Sequence, residues 1–348
     1  MKIDIAADPF QERPNGRLRI RRHVLGGAFE FATESPELMR LVRWAYDGLP
    51  RHRLSASPAR MAVRLVLGGQ AAGPKRRRTA NGQGGMDEPA PFAMLSAPGL
   101  LCGASPSSTM AVMSAQQRAA LVVVPRELLR FPYHVRYELI ELAVFTLAAR
   151  VQGLIPLHAA CVGHGNRGLL LIGDSGAGKS TAVLHCALRG LSLVSEDSLF
   201  VAPESLLATG VANFLHVQRE SLRFLPAADA NFIRRAPVIR RRSGARKFEV
   251  DLRQGRFRLA PRPPAVDALV VLTARSAGGA PLLVPLAPRE ALARLEASQP
   301  YAAGQPGWRI FTERVRSVPA FELRRGRHPR QSAAVLADLL DERLAGRR

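Results

Sequence analysis

The sequence predicts an α/β fold of the α+β kind, in which a core built around a glycine-rich loop follows a smaller N-terminal α/β region. Three observations lead to this prediction. The apolar run LLLIG, residues 169–173, enters the loop GDSGAGKS, and a helical stretch leaves it. Strand-like and helical segments alternate on both sides of this unit. The length of 348 residues suits two domains or one large domain with additions, and we place residues 1–130 in the N-terminal region and residues 131–348 in the core domain.

Composition indicates a globular protein of the reducing cytoplasm. The apolar fraction of 47% is ordinary for a globular chain. No run of about 18 or more apolar residues occurs, so no membrane span is predicted. The N-terminal stretch MKIDIAADPFQERPNGRLRI is charged and lacks the apolar centre of a secretory signal. The three cysteines have no metal-ligand spacing, which argues against a disulfide framework.

The formal net charge of +22 raises the question of a nucleic-acid partner. The positive residues are scattered along the chain rather than gathered on one helix or arm, and no nucleic-acid motif accompanies them. Nearly all of them are arginine, which codon bias toward arginine would explain. An acidic or phosphorylated partner is the functional alternative. We therefore do not predict nucleic-acid binding.

The N-terminal region is predicted to hold two strands and a helix. RLRIRRHVL and MAVRLVLGG have the apolar content of strands. SPELMRLVRWAYDGL begins with the capping pair Ser35-Pro36 and continues with apolar residues at helical spacing. Residues 71–92 are rich in glycine, proline and charge, which predicts a flexible loop, and the short apolar run ALVVVP follows further along. The region either packs against the core or docks the acceptor of the core domain, and the sequence leaves both interpretations open.

The core domain opens with one long predicted helix over residues 133–153, which ends at Gly153. LHAACVG, HGNRG and LLLIG then predict strand, turn and strand, an antiparallel hairpin that feeds the loop. A helix over residues 179–189, a stop at Gly190 and the strand LSLVS follow. Three later apolar segments predict one buried strand and then two helices: residues 268–275, 289–297 and 332–345.

The loop matches GxxxxGK[ST] at every fixed position, between an apolar strand and a helix. In this motif the glycines let backbone N–H groups turn toward phosphates, and the helix N-terminus adds partial positive charge. Lys179 is expected to reach the β- and γ-phosphates, and Ser180 is expected to ligate Mg²⁺. The sequence therefore predicts a nucleotide-phosphate site formed by nine residues: Gly173, Asp174, Ser175, Gly176, Ala177, Gly178, Lys179, Ser180 and Thr181.

Two adjacent acids, Glu196 and Asp197, end the strand that follows the loop helix. Glu196 comes 17 positions after Lys179, a gap that one helix and one strand fill, so the strand is expected to return and set both carboxylates near the phosphates. One acid could hold Mg²⁺ while the other accepts a proton from an attacking hydroxyl, and spacing alone does not assign the two roles. A solvated strand end is the alternative. His158, on the strand before the loop, has the residue type and setting of an ordinary core histidine.

GDSGAGKST, the hairpin LHAACVGHGNRGLLLIG and the run ALRGLSLVSED together resemble the HPr kinase/phosphorylase superfamily, in particular its HprK-related kinase branch. The likeness covers roughly residues 133–205. It implies a P-loop kinase core similar to that of phosphoenolpyruvate (PEP) carboxykinase. It also implies that His158 lies next to the active site, that Glu196 takes the proton from an acceptor serine, and that Asp197 helps to hold Mg²⁺.

The chain departs from that family at three points. Glu196 stands where the family usually has aspartate, and Thr181 stands where the HPr enzymes have glutamate. The downstream glycine-rich signature of the family is not recognisable. We therefore predict neither HPr as the substrate nor a phosphorylase activity.

On these grounds the sequence predicts an ATP- and Mg²⁺-dependent kinase that acts on a hydroxyl, with a serine of a protein or peptide as the expected acceptor. Two other functions stay open: an ATPase or nucleotide-binding switch that phosphorylates no acceptor, and a small-molecule kinase. A second copy of the chain, in a homo-oligomer, is a further partner hypothesis. Six cationic residues could bind substrate or stabilise transition-state charge, or simply form a solvated basic face: Arg219, Arg240, Arg241, Arg242, Arg246 and Lys247.

Overall fold

The computed structural model describes residues 18–68, 93–105 and 109–345. The predicted flexible loop at residues 71–92 and the charged N-terminal stretch before residue 18 lie outside the described residues. Within the described ranges the chain is a mixed α/β structure with four sheets and interspersed helices, as the α+β class requires.

The N-terminal elements form one sheet and the helix that follows its second strand. In chain order they are β1 (Leu18–Val24), β2 (Gly27–Thr33), α1 (Pro36–Tyr46), β3 (Arg60–Gly68), β4 (Ala93–Ala97), β5 (Leu100–Ala104), β6 (Met110–Ser114) and β7 (Ala119–Pro125). The strand order is β1-β2-β3-β7-β6-β5-β4, and β3 runs parallel to both β2 and β7. The predicted strands and helix are present. The Ser35 side chain caps α1 by accepting a hydrogen bond from the Leu38 N–H, at 3.2 Å.

The long predicted helix is a continuous helical segment, made of α2 (Pro132–His134), a π-helical turn (Val135–Ile140) and α3 (Glu141–Gln152). A 3-10 turn (Arg126–Arg130) precedes it, and Gly153 ends it with a φ of +66°. The apolar side chains of this segment share one core with the N-terminal sheet. The helix therefore covers that sheet although it follows the predicted boundary after residue 130, and the boundary itself stays a prediction.

The remaining chain carries the core domain. Its elements in order are β8 (Ile155–His158), β9 (Ala160–His164), β10 (Arg167–Ile172), α4 (Lys179–Leu188), β11 (Ser192–Ser195), β12 (Ser198–Val201), β13 (Ala208–Gly210), β14 (Phe214–Gln218), α5 (Ala227–Arg234), β15 (Val238–Arg240), β16 (Arg246–Asp251), β17 (Ala265–Ser276), β18 (Leu283–Leu286), α6 (Pro288–Ser298), α7 (Pro300–Ala303), α8 (Trp308–Val315), β19 (Ala320–Arg325) and α9 (Pro329–Ala345). The predicted hairpin is confirmed as β9 and β10, which pair antiparallel. The helix after the loop, the strand LSLVS, the buried strand and the two late helices are confirmed as well.

The central sheet has the order β11-β9-β10-β17-β19-β18, and β10, β17 and β19 run parallel. The continuous apolar run of β10 reflects burial on both faces of this sheet. Leu169 and Leu171 enter the core under α4 and α9, whereas Leu170 and Ile172 enter the core on the other face. Because β11 and β10 are both antiparallel to β9, their carboxyl ends lie at the same edge of the sheet.

Two bends in the chain meet at this edge. β8 passes into β9 at Ala159, and β11 passes into β12 at Glu196 and Asp197. Since β9 pairs with β11 and β8 pairs with β12, the bends lie side by side, with Ser198 opposite His158. The Ala159 N–H donates to the Asp197 carbonyl oxygen at 3.0 Å. This register places the histidine of one bend beside the acids of the other.

Two further features concern the cysteines and the apolar content of the helices. All three cysteines are free thiols. Among the described residues, no helix combines the length and the apolar composition that crossing a bilayer would require.

Candidate functional site

The glycine-rich loop joins the end of β10 to the start of α4. Gly173, Gly176 and Gly178 have φ values of +151°, +85° and +99°, a region that L residues with a side chain rarely adopt. A Cβ on Gly173 would also lie 2.5 Å from the carbonyl oxygen of Leu272 on β17. The first glycine is therefore required both by its own conformation and by the close approach of the neighbouring strand.

Lys179 begins α4 and folds back over the loop. Its Nζ donates to the carbonyl oxygen of Gly173 at 2.5 Å, and only 9% of the residue is exposed. Burial lowers the pKa of Lys179, while the nearby carboxylates of Asp197, Asp174 and Glu196 act in the opposite direction. The ammonium thus lies inside the loop, next to the acids, where an anion in the loop would contact it.

The loop opens into a groove with a volume of about 510 Å³. The groove brings together the predicted loop residues from Asp174 to Thr181, both predicted acids and His158. Of the six predicted cationic candidates, Arg241 and Lys247 line it, while the other four are not among the described residues that do so: Arg219, Arg240, Arg242 and Arg246. Four arginines that the sequence did not single out also line the groove: Arg223, Arg324, Arg325 and Arg327.

Glu196 is the buried member of the acid pair, with 8% of its surface exposed. Its Oε2 lies 3.2 Å from the Nδ1 of His216. Burial alone would raise the pKa of Glu196, but hydrogen bonds from His216 and Ser180, together with the His216 charge, lower it below the ordinary value. Glu196 is therefore an ionised carboxylate that is hydrogen-bonded to His216 and lies near the hydroxyl of Ser180.

Asp197 is the member that faces the groove. Its Oδ1 lies 2.9 Å from the Nδ1 of His158, and its Oδ2 lies 3.8 Å from an Nη of Arg241. Burial would raise the pKa of Asp197, but the hydrogen bond and charge of His158 and the charge of Arg241 lower it to about 2. The carboxylate is thus ionised and oriented by a histidine from the neighbouring bend.

His158 is not a core histidine, because 61% of its side chain is exposed. The side chain is exposed, but the backbone of His158 is held by hydrogen bonds. The His158 N–H donates to Oε1 of Gln299 at 2.7 Å, and Nε2 of Gln299 donates to the His158 carbonyl at 3.1 Å. Gln299 is buried and follows α6. Its amide therefore pairs with the end of β8 as a neighbouring strand would, and it fixes the backbone that carries the imidazole.

A buried polar chain runs from Glu196 to the N-terminal region, and no local pattern in the sequence predicts it. The Nε2 of His216 on β14 lies 3.6 Å from Oε1 of Glu249 on β16. Glu249 pairs in turn with Arg136 of the π-helical turn. The Arg136 guanidinium is fully buried and lies 4.1 Å from the ring centroid of Trp44 on α1. The site is thereby connected to the helical segment that covers the N-terminal sheet.

The His216 contacts predict a pH-dependent stability. Burial would lower the pKa of His216, but its hydrogen bond to Glu196 and the nearby carboxylate of Glu249 raise it from its ordinary value. A raised pKa stabilises the fold fully below the unfolded value, and that contribution is lost as pH rises through the folded value. We expect His216→Asn to lower the free energy of unfolding by roughly 3–5 kcal/mol at about pH 6, and by less at about pH 9. Urea unfolding at both pH values measures the difference.

The matched control for this prediction is His164→Asn. His164 also contacts a carboxylate, that of Asp341 at 2.9 Å, but both side chains are more than half exposed. An exposed pair of this kind contributes little, so its variant should show small changes at either pH. A decrease in the free energy of unfolding of His216→Asn that is equal at both pH values, or larger at the higher one, would contradict the proposed ion pairs.

Comparison of the chain with models of known protein families finds no match. Comparison with curated proteins finds none either. The resemblance carried by the loop, the hairpin and the acid pair therefore remains a prediction.

Proposed function

We propose that the protein is an ATP- and Mg²⁺-dependent kinase that transfers the γ-phosphoryl group of ATP to a hydroxyl, with a serine of a protein or peptide as the expected acceptor. The observation that carries the proposal is the pair formed by Asp197 and His158, 2.9 Å apart, in the same groove as the glycine-rich loop. An ATP-binding loop alone would be compatible with hydrolysis. An ionised, oriented carboxylate in the same groove provides a proton acceptor for an attacking hydroxyl.

The nucleotide would bind through its phosphates. The loop glycines leave backbone N–H groups free to turn inward, and α4 begins at Lys179 with its partial positive charge directed at the loop. Lys179 would exchange its contact with the Gly173 carbonyl for the β- and γ-phosphate oxygens. Arg241 and Lys247, which line the groove, would add charge beside the transferred group. We propose by the same reasoning that this domain is a PEP-carboxykinase-like P-loop kinase core.

The residues present suit a magnesium ion. Mg²⁺ in nucleotide sites takes oxygen ligands and usually binds through one or two protein groups together with substrate phosphates. Ser180 and Glu196 supply a hydroxyl and a carboxylate that lie near one another, and both line the groove. When bound, Mg²⁺ would neutralise the charge on the phosphates. Among the described residues no cluster of three or more His, Cys, Asp or Glu side chains could hold a metal, and a nucleotide-dependent site does not need one.

This arrangement reverses the roles that the family resemblance implies for the two acids. The resemblance makes Glu196 the base and Asp197 the magnesium residue. We propose instead that Glu196 helps to hold Mg²⁺, because it is buried and lies near the hydroxyl of Ser180. Asp197 would be the base, because it faces the groove and is oriented by His158.

The transfer step then follows. The acceptor oxygen forms a bond to the γ-phosphorus while the bond from that phosphorus to the bridging oxygen of ADP breaks, and the electron pair leaves with ADP. The acceptor hydroxyl proton passes to Asp197. With a pKa of about 2, this carboxylate is ionised at neutral pH and accepts the proton once the forming bond has made the hydroxyl acidic. Positioning of the two reactants and neutralisation of charge supply most of the rate enhancement.

The experiment that tests the proposal uses γ-labelled ATP, Mg²⁺ and the protein or peptide encoded beside this gene. Label on a serine of that protein or peptide is the expected result. Label on a small hydroxyl compound would keep the kinase reaction and change the acceptor class. Release of labelled free phosphate without any labelled acceptor would identify an ATPase and contradict the proposal.

A further inference from the structure

A second cavity, with a volume of about 340 Å³, adjoins the acid pair. It lies between the helical segment of α2 and α3 and the strand β14, at the junction with the N-terminal region. It shares four lining residues with the nucleotide groove: Glu196, Asp197, His216 and Arg241. None of the loop residues 173–181 lines it. A molecule in this cavity would therefore reach Asp197 from a side that the phosphates do not occupy.

Four aromatic side chains form part of the cavity wall, among residues that are mostly polar or charged. Tyr133 and Tyr137 lie with ring centroids 4.6 Å apart, and Phe145 and Phe214 line other parts of the wall. The volume is at the lower end of the range found for small-molecule sites, which is about 300–1,000 Å³. The cavity thus accommodates a group of the size of an amino acid, or the end of a peptide, rather than a folded surface.

Most of the acids that line the cavity have an arginine or histidine partner. Glu138 accepts a hydrogen bond from Nε of Arg242 at 2.8 Å. Asp197 contacts His158 and lies 3.8 Å from Arg241, and Glu196 contacts His216. These contacts engage three of the four carboxylates in the cavity wall.

Glu141 is the fourth, and it differs from the others. It is 3% exposed, and its Oε1 atom has no hydrogen-bond partner among the described residues. The nearby cation Arg136 is hydrogen-bonded to Glu249. Burial raises the pKa of Glu141 to about 7, although the Arg136 charge and a hydrogen bond from Asn213 act against it. A buried carboxylate oxygen that lines a cavity and has no partner is suited to receive a charged donor from a ligand.

We propose that this cavity is the acceptor pocket and that it takes a hydroxyl compound carrying a primary ammonium group, which Glu141 binds while the hydroxyl lies toward Asp197. The inference rests on the kinase function proposed above. The ammonium complements the carboxylate, and the tyrosine rings beside it are faces on which a cation is stabilised. An amino alcohol and a peptide that begins with serine share this chemistry. The ammonium takes no part in the transfer, in which the hydroxyl oxygen receives the phosphoryl group from ATP and Asp197 receives the proton.

The test measures binding separately from transfer. L-Serinamide and N-acetyl-L-serinamide are titrated calorimetrically into the full chain with Mg²⁺ and a non-hydrolysable ATP analogue. Acetylation removes the positive charge and leaves the hydroxyl. We expect serinamide to bind about tenfold or more tightly than its acetylated form, because a buried carboxylate strongly discriminates a charged from a neutral donor.

Two variants assign the preference to one side chain. Glu141→Gln has nearly the same shape, so it should fold and bind the ATP analogue normally, yet lose the preference for serinamide. Glu313→Gln is the control, since Glu313 is an exposed acid on α8 that is paired with Arg309, and it should keep the preference. Equal binding of the two compounds by the unchanged protein would overturn the proposal. A preference that survives in Glu141→Gln would overturn it as well.

Transfer from γ-labelled ATP then separates this inference from the kinase proposal. Label on serinamide but not on a serine-initiated peptide identifies a free amino alcohol as the source, and the reverse identifies a peptide terminus. If N-acetylated acceptors were labelled as readily as free amines, the kinase proposal would be retained and the ammonium pocket would be refuted. Free phosphate as the sole product with every acceptor would refute the kinase itself, and with it this inference.

Discussion

Replacing Lys179 with methionine is expected to lower the rate of nucleotide-dependent phosphoryl transfer by roughly 10²–10³-fold, the effect of removing one charge-stabilising donor from a transition state. Lys179 is the cation inside the loop, and its Nζ already contacts the carbonyl oxygen of Gly173. Methionine has a similar length and suits a site that is 9% exposed, so the packing should survive. Transfer of label from γ-labelled ATP and the affinity for ATP measure the effect.

The control for this variant is Arg309→Met, which removes one positive charge from a side chain that is 83% exposed on α8. It should leave both ATP affinity and transfer at the level of the unchanged protein. Thermal unfolding should show both variants folded. Unaltered ATP turnover in Lys179→Met would refute the assignment of the loop as the phosphate site.

The second large effect concerns Asp197 and Glu196, whose substitutions we expect to impair the reaction in different ways. Asp197→Asn should lower kcat by roughly 10²–10⁴-fold, the usual contribution of a general base, with little change in the affinity for ATP and Mg²⁺. Glu196→Gln should raise the Mg²⁺ concentration needed for half-maximal rate, because it removes the carboxylate next to Ser180. Steady-state rates over a range of Mg²⁺ concentrations separate the two outcomes.

Asp341→Asn is the matched control for Asp197→Asn. Asp341 forms the same 2.9 Å contact with a histidine, His164, on the surface away from the groove. Its variant should keep full activity. If Glu196→Gln instead stopped transfer at an unchanged Mg²⁺ requirement, while Asp197→Asn changed the Mg²⁺ requirement, the roles implied by the family resemblance would be the right ones.

Much of the core domain could be predicted because its signals are local. The loop motif, the hairpin before it and the helix after it are contiguous in the chain, and each has the periodicity of its element. The acid pair could be placed near the loop because only one helix and one strand fill the gap after Lys179. These predictions needed the spacing of neighbouring residues and no knowledge of distant ones.

Several strands were not predicted, because their local signals are weak or their partners are distant in the chain. β2, GAFEFAT, alternates apolar and polar residues but follows β1 after a turn of only two residues. β4 is exposed along its whole length, so it lacks the apolar contrast by which strands are recognised. The short strands β12 to β16 form small sheets whose partners are set by packing. Their existence depends on contacts that composition does not encode.

The sequence by itself determined the glycine-rich motif of the loop, the presence of two acids after it and the helices and strands that bring them to one edge of a sheet. Only the tertiary structure decided how the acids differ. Glu196 is buried and hydrogen-bonded to a histidine 20 positions away, while Asp197 faces the groove beside the histidine of another bend. Arg136 and Glu249 are 113 positions apart and meet in the interior. The physical reason is that burial and charge pairing are properties of the packed chain, and these set the pKa and the accessibility of each carboxylate.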